Sequence, residues 1–162
     1  MVTQARLKEL LKYDPSTGIF IWRVDRKGGA FAGDVAGRIR QDGYRELRVD
    51  HGFYPAHRLA WIYMHGAFDN ALQIDHINRV KADNRIENLR LATSKQNKEN
   101  ISPTRNSAAG LLGVNWNRFR NKWQARICHD GVRKYLGLFE TAEAAHAAYL
   151  VAKRELHSFG TL

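Results

Sequence analysis

The sequence predicts an α+β protein built from two modules. Three observations carry that reading. Apolar residues recur at helical spacing in only a few short stretches, while alternating runs bounded by turn residues fill most of the rest. The segment ISPTRNSAAG, small, polar and Pro-containing, reads as a linker. Beyond Gly110 the texture changes to three strand-like runs and then one Ala-rich helix. The expected division is residues 1–100, a linker at 101–109, and a second module at 110–162.

In the first module, Thr3 is placed to cap a helix running to Lys12, with Leu7, Leu10 and Leu11 at helical spacing. Asp14 to Gly18 (DPSTG) is a turn, and Ile19 to Val24 a strand. RKGGAFAG is a loop. Tyr44 to Asp50 and FYPAH form a hairpin about a His51-Gly52 turn. HRLAWIYMHG is a helix with Leu59, Ile62 and Tyr63 inward and Gly66 as its stop. Two short strands follow, Gln73 to Ile77 and Asn88 to Thr93, joined by the polar loop NRVKADNRIEN. Ser94 can cap a short helix that Pro103 ends.

In the second module, GVNWNRF, KWQARICH and VRKYLGLF read as antiparallel strands, with turns at Arg120-Asn121 and Asp130-Gly131. Thr141 caps AEAAHAAYLVAKREL, whose inner stripe is Ala145, Ala148, Ala152 and Leu156. Small residues there let the helix lie close against the sheet. Alternation places Val114, Trp116, Trp123, Ala125, Ile127, Leu136 and Leu138 toward the helix.

Composition narrows the function. The 162-residue chain has 26 Lys+Arg against 16 Asp+Glu, a formal net charge of +10, which suits a polyanionic partner. No run approaches the roughly 20 apolar residues of a membrane span, and MVTQARLKELLKYDPSTG lacks the basic-then-apolar pattern of a signal peptide. A protein of the cell interior is expected, with no membrane partner. The single cysteine, Cys128, excludes an intrachain disulfide and a Cys-based zinc cluster, so any metal must sit on oxygen and nitrogen ligands. Cys128 itself reads as a small strand residue, and His51 and His65 as surface or turn residues.

Asp75 and His76 end one short strand, Asn88 opens the next, and Asn97 lies on the helix after it. A hairpin packed on a helix brings such ends together. Phosphodiester hydrolysis calls for this set. A hard cation needs oxygen ligands, which Asp75 and Asn97 offer. His76 is the nearby group suited to taking a proton from water near neutral pH. Asn88 is placed to lock the loop and orient the imidazole.

The run HRLAW…QIDHINRVKADNRIENLRLATSKQN resembles the HNH (ββα-metal) nucleases of the homing-endonuclease kind, and YDPSTGIFIWR and GYRELRV resemble the lead-in of such proteins. The resemblance covers roughly residues 10–100. It implies an N-terminal ββα-metal nuclease domain with His76 as general base, Asp75 and Asn97 as metal ligands and Asn88 as the structural middle Asn. The cofactor implied is a divalent metal, Mg²⁺ or else Mn²⁺. Many such nucleases have His where this chain has Asn97; a variant branch has Asn. His57 of HRLAW reads as a structural histidine at a helix start.

On the opposite face of the second sheet alternation places Asn115, Asn117, Gln124, Arg126, Arg133 and Tyr135, and the turn contributes Arg118, Arg120 and Lys122. Arg, Asn and Gln are the side chains that read base edges; the turn cations suit phosphates. The order GVNWN…KWQARI…YLGLFETAEAAHAAY resembles the plant Apetala/ethylene-response-factor DNA-binding domain over roughly residues 110–157. That resemblance implies a three-stranded sheet in the major groove, backed by one helix. Most residues it marks for DNA contact differ in type here, so it implies no target sequence.

Together these readings predict a metal-dependent endonuclease acting on double-stranded DNA as a monomer, of the kind found in mobile elements and bacteriophages and working in a bacterial cytoplasm. The rival is a non-catalytic DNA-binding regulator with a degenerate HNH domain, which has no need of Asp75, His76 and Asn97 together. RNA binding by the basic sheet is a weaker third reading, because Tyr135 is the one aromatic expected on the exposed face.

Overall fold

The computed structural model describes residues 2–100, 109–157 and 159. The chain separates into two compact units, Met1–Thr93 and Ser94–Leu162. The division falls just before the short helix that sequence reasoning groups with the first module. The expected linker, except Ala109, and Pro103 lie outside the described residues.

The first unit begins with α1 (Gln4–Leu10), capped by Thr3, whose hydroxyl accepts from the Arg6 amide. The helix stops two residues earlier than its apolar spacing suggests. Leu11 and Lys12 belong instead to β1 (Leu11–Asp14), which pairs antiparallel with β2 (Ile19–Trp22). Leu11 and Tyr13 alternate inward, a strand period that the run of leucines before them obscures. A second sheet orders β3 (Arg38–Ile39), β4 (Arg45–Val49) and β5 (Gly52–Pro55). Val49 pairs directly with Gly52, so the two turn residues are Asp50-His51 rather than His51-Gly52.

Helix α2 (Ala56–His65) follows at once, burying Ala56, Leu59, Ala60 and Ile62 and stopping at Gly66. Tyr63 is only partly buried, against this core. β6 (Gln73–His76) and β7 (Leu89–Ala92) form the last hairpin, with a 3-10 turn (Ile86–Asn88) leading into β7. One apolar cluster, with Leu7, Phe20, Leu47 and Leu59 at its centre, joins α1, α2 and the hairpins. It is the platform on which the β6–β7 hairpin is held.

The second unit opens with α3 (Ser94–Glu99), so the chain order around the β6–β7 hairpin is strand, strand, helix. The three expected strands are β8 (Val114–Asn117), β9 (Lys122–His129) and β10 (Val132–Phe139), in the order β10-β9-β8. Asp130 and Gly131 both have positive φ, 53° and 76°, which suits the two-residue hairpin their types predict. Helix α4 (Ala142–Leu156) is capped by the Thr141 hydroxyl, which accepts from the Ala144 amide.

Val114, Ala125, Ala142 and Ala145 form the tight contact between sheet and helix. Tyr149, buried on α4, and Ile127 extend it. One expected facing is overturned. The register shifts between Tyr135 and Gly137, so Leu138 pairs with Gln124 and turns outward, while Phe139 takes the inner place opposite Trp123. A bulge adds one residue and inverts the alternation after it. Trp116 remains 40% exposed, packed edge-on to Trp123 at 5.1 Å, rather than sealed under the helix.

Candidate active site

The hairpin register sets the first contact. Asp75 pairs with Arg90 across β6–β7, and the Arg90 Nε and Nη2 both donate to Asp75 Oδ2, at 3.0 and 2.9 Å. A carboxylate only 6% exposed is held by a forked cation, with Oδ1 outside that ion pair. Directly opposite residues on a strand pair share a face. The Asp75–Arg90 pairing was therefore readable once the loop ends were aligned, but sequence reasoning missed it.

His76 is 5% exposed. Its Nε2 lies 3.3 Å from Asn84 Oδ1, and the Asn84 Nδ2 donates to the Ala82 carbonyl at 3.0 Å. The second bond orients the amide. Its oxygen therefore faces the imidazole, which sets the proton on Nε2 and the lone pair on Nδ1. Burial pushes the His76 pKa below its ordinary value; the Asn84 bond and the charges of Asp75 and Asp83 oppose that in part. The imidazole is neutral at neutral pH, the form that accepts a proton.

Asn88 acts on the loop. Its Oδ1 accepts from the Asn78 amide at 2.9 Å, its Nδ2 donates to the Asp83 carbonyl at 2.8 Å, and its own carbonyl accepts from the Ile77 amide at 2.9 Å. The amide within hydrogen-bond reach of the imidazole is Asn84's, where sequence reasoning placed Asn88 in that role. Arg85 closes the other side of the loop by a forked pair with Asp83, which holds that carboxyl down at about 2.

The N-terminal hairpin braces this loop. The Tyr13 hydroxyl donates to the Asn84 carbonyl at 2.7 Å, and the Ile86 amide to the Pro15 carbonyl at 3.1 Å. Gly18, at φ 72°, lies so close to the Asn84–Arg85 peptide that a Cβ there would come within 2.5 Å of it. Only glycine fits, both for its φ and for this approach. The YDPSTG turn thus has a tertiary task besides turning the chain.

His57, in the first turn of α2, packs its ring edge-on to His76 at 5.0 Å, and Tyr44 lies 5.4 Å from His57 and 5.9 Å from His76. His57 Nδ1 is buried without a hydrogen-bond partner among the described residues. Burial, then the neighbouring His76 and Arg58, lower its pKa to about 3. His57 is structural in the sense expected, yet it belongs to the wall of the site. Asn97 stands on α3, in the second unit.

Residues 54–99 match the family model for HNH endonucleases, a span that holds His57, Asp75, His76, Asn88 and Asn97. Over this span the chain is similar to HNH endonucleases. Protein 3.8 of Escherichia phage T7 is 29% identical over 108 residues, covering 65% of this chain and 88% of that protein. The uncharacterized HNH endonuclease L560 of Acanthamoeba polyphaga mimivirus is 29% identical over 119 residues, covering 73% of this chain and 60% of that protein's length. Among solved structures, the HNH homing endonuclease I-HmuI aligns at TM-score 0.43 and 22% identity, over 83% of this chain and 74% of that one.

In the second unit the sheet's outer face carries Asn115, Asn117, Gln124, Arg126, Arg133 and Tyr135, joined by Lys122, Cys128 and Leu138. The β8–β9 turn holds Arg118 and Arg120; the Asn117 Oδ1 accepts from the Phe119 and Arg120 amides, both at 3.1 Å. Lys122 pairs with the exposed Glu140 at 2.7 Å, so this cation is partly neutralised. Phe119, between the two turn arginines, is 99% exposed. Sequence reasoning passed over it; an aromatic with no place in the alternation was the available signal.

Proposed function

We propose that the protein is a metal-dependent DNA endonuclease in which His76 Nδ1 is the general base and the second unit is the DNA-targeting module. The observation that carries this reading is a buried imidazole, kept neutral by its burial and held in one tautomer by Asn84, next to a carboxylate within the segment that matches HNH endonucleases. A base must be unprotonated and held in one orientation, and the burial of His76 and its Asn84 contact support both.

The donor chemistry suits a hard divalent cation. Asp75 offers a carboxylate whose Oδ2 alone takes the Arg90 fork, and Asn97, given the companion place by the motif, offers an amide oxygen. Oxygen donors of this kind suit Mg²⁺ or Mn²⁺. Such an ion, when bound, stabilises negative charge on the phosphate and the leaving oxygen. The chain's own residues do the rest. His76 draws the proton from the attacking water, and Arg90 holds the Asp75 carboxylate in position. Asn88 and Asn84 keep the loop closed and the imidazole in place.

Targeting rests on the outer face of the β8–β10 sheet. Arg126 and Arg133 have the chemistry to read guanine edges, and Asn115, Asn117 and Gln124 to read adenine. Arg118, Arg120 and Lys122 suit phosphates. The chain's formal net charge of +10 favours the same polyanionic partner.

The test is incubation of the purified full-length protein with supercoiled plasmid, in Mg²⁺ or in EDTA, beside His76→Ala. Cutting that needs both the metal and His76 supports the reading. A wild-type protein that binds DNA and never cuts it overturns the reading in favour of a non-catalytic DNA binder.

A further inference from the structure

We propose that the second unit holds a structural site for a borderline divalent ion of the Zn²⁺ class, built from Glu99, His129 and His157. None of its three ligands is among the residues assigned to cleavage, although Glu99 shares α3 with Asn97, and the ion serves folding.

One ligand atom from each of the three residues lies within 4.8 Å of the others. They come from three elements: Glu99 ends α3, His129 ends β9, and His157 caps the C-terminus of α4. The two imidazoles are 5.8 Å apart between ring centroids. The orientation of each ring carries the argument. His157 Nε2 sits 2.9 Å from the Cys128 carbonyl, which can only accept, so Nε2 bears the proton and Nδ1 the lone pair. His129 Nε2 lies 3.5 Å from Asp130 Oδ2, a carboxylate contact that favours a proton on Nε2. Both Nδ1 atoms are buried without a hydrogen-bond partner among the described residues, and His157 as a residue is only 9% exposed.

Two buried ring nitrogens, on histidines that each bring a ligand atom near one carboxylate, thus go unmatched among the described residues. An unmade bond at a buried polar atom costs roughly 1–3 kcal/mol, so a pair of them calls for an occupant. A cation supplies it. Metal-bound histidines commonly donate their second N–H to a carbonyl or carboxylate, the two partners found here. Asp130 is itself ion-paired with Lys95 of α3, which fixes the carboxylate behind His129.

Two imidazoles and one carboxylate are a common zinc donor set and leave a fourth position for water. Tetrahedral bonds of about 2.0–2.2 Å bring ligand atoms to roughly 3.3 Å apart, so a closure of about 1.5 Å is needed. Rotation of the half-buried Glu99 side chain, with small shifts of the two rings, would supply it. The hard Mg²⁺ ion prefers oxygen ligands and is not the expected occupant. Occupied, the site would pin the end of α3 to the sheet and helix of its own unit.

The experiment uses EDTA-treated full-length protein titrated with ZnCl₂ by calorimetry, Mg²⁺ being held in large excess throughout. Co²⁺ absorption spectra provide an independent readout of nitrogen ligation. One Zn²⁺ per chain is expected, with a raised thermal midpoint. Glu99→Gln, an isosteric change at a half-buried position that leaves the fold intact, and His129→Gln should each weaken the ion at least about tenfold. His76→Ala should leave it unchanged. Zinc affinity equal to wild type in both Glu99→Gln and His129→Gln overturns the proposal, as does zinc binding lost only in His76→Ala. Neither result bears on plasmid cleavage, so this site and the nuclease reading fail independently.

Discussion

Acidification should destabilise the first unit through His57, by an amount that the structure permits working out. His57 is neutral when folded because burial and its neighbours lower its pKa to about 3. In the unfolded chain a histidine titrates near about 6.5. Above that value neither state binds the proton, and the group leaves stability unchanged. As pH falls below it the unfolded chain takes up a proton that the folded His57 refuses. Stability therefore drops with falling pH until the folded group titrates. From about pH 7.5 to about pH 5 the loss is about 1.5 pH units of differential uptake, or about 2 kcal/mol. His57→Phe keeps a flat ring in the wall and removes the titration. Urea unfolding at both pH values, with hydrogen exchange of the α2 segment reporting on the first unit directly, should show wild type losing about 2 kcal/mol more than the variant. Equal losses in the two proteins would refute a neutral buried His57.

The nuclease reading makes further predictions. His76→Ala should lower cleavage roughly 10²–10⁴-fold with little change in DNA affinity, read by plasmid cutting and by filter binding; cutting within tenfold of wild type removes His76 from the role. Because burial depresses its pKa, the acid limb of the cleavage rate should lie below about pH 6.5, activity falling as His76 gains its proton. Arg90→Ala takes the forked cation from the buried Asp75 carboxylate and should cost about 3 kcal/mol in unfolding free energy, whereas Asp75→Asn should chiefly raise the metal concentration needed for cutting. On the sheet, Arg126→Ala should relax sequence preference by roughly 1–3 kcal/mol per lost base contact. Lys122→Ala should flatten the salt slope by less than the full value of about 0.9, since Glu140 already neutralises part of its charge. A preference unchanged in Arg126→Ala, measured on specific and random duplexes, assigns that residue to phosphates instead.

Much of the second unit was legible in local chemistry. Asp130-Gly131 demands a tight hairpin, Thr141 caps the last helix, and alternation sorts Ala125 and Ile127 from Gln124 and Arg126, because each of these is decided within a few residues. The bulge between Tyr135 and Gly137 was not legible. It depends on how β10 meets its neighbour, and it alone turns Leu138 outward and Phe139 in. The same limit hid the start of β1, where Leu11 satisfies a helical stripe and a strand equally well until Trp22 pairs with it.

At the site, the sequence by itself determined which residues are the candidates: Asp75, His76, Asn88 and Asn97 stand out by residue type and spacing. What only the tertiary structure decided is the state of those residues. His76 is neutral because it is buried, and protonated on Nε2 because Asn84 comes to it from across a loop that is braced by Tyr13, Pro15 and Gly18, at least 66 positions earlier in the chain. Burial beside His57 and Tyr44, and the Arg90 fork on Asp75, arise in the same way. A pKa and a tautomer are properties of what surrounds a side chain, and those surroundings are assembled by contacts between segments that local sequence does not relate.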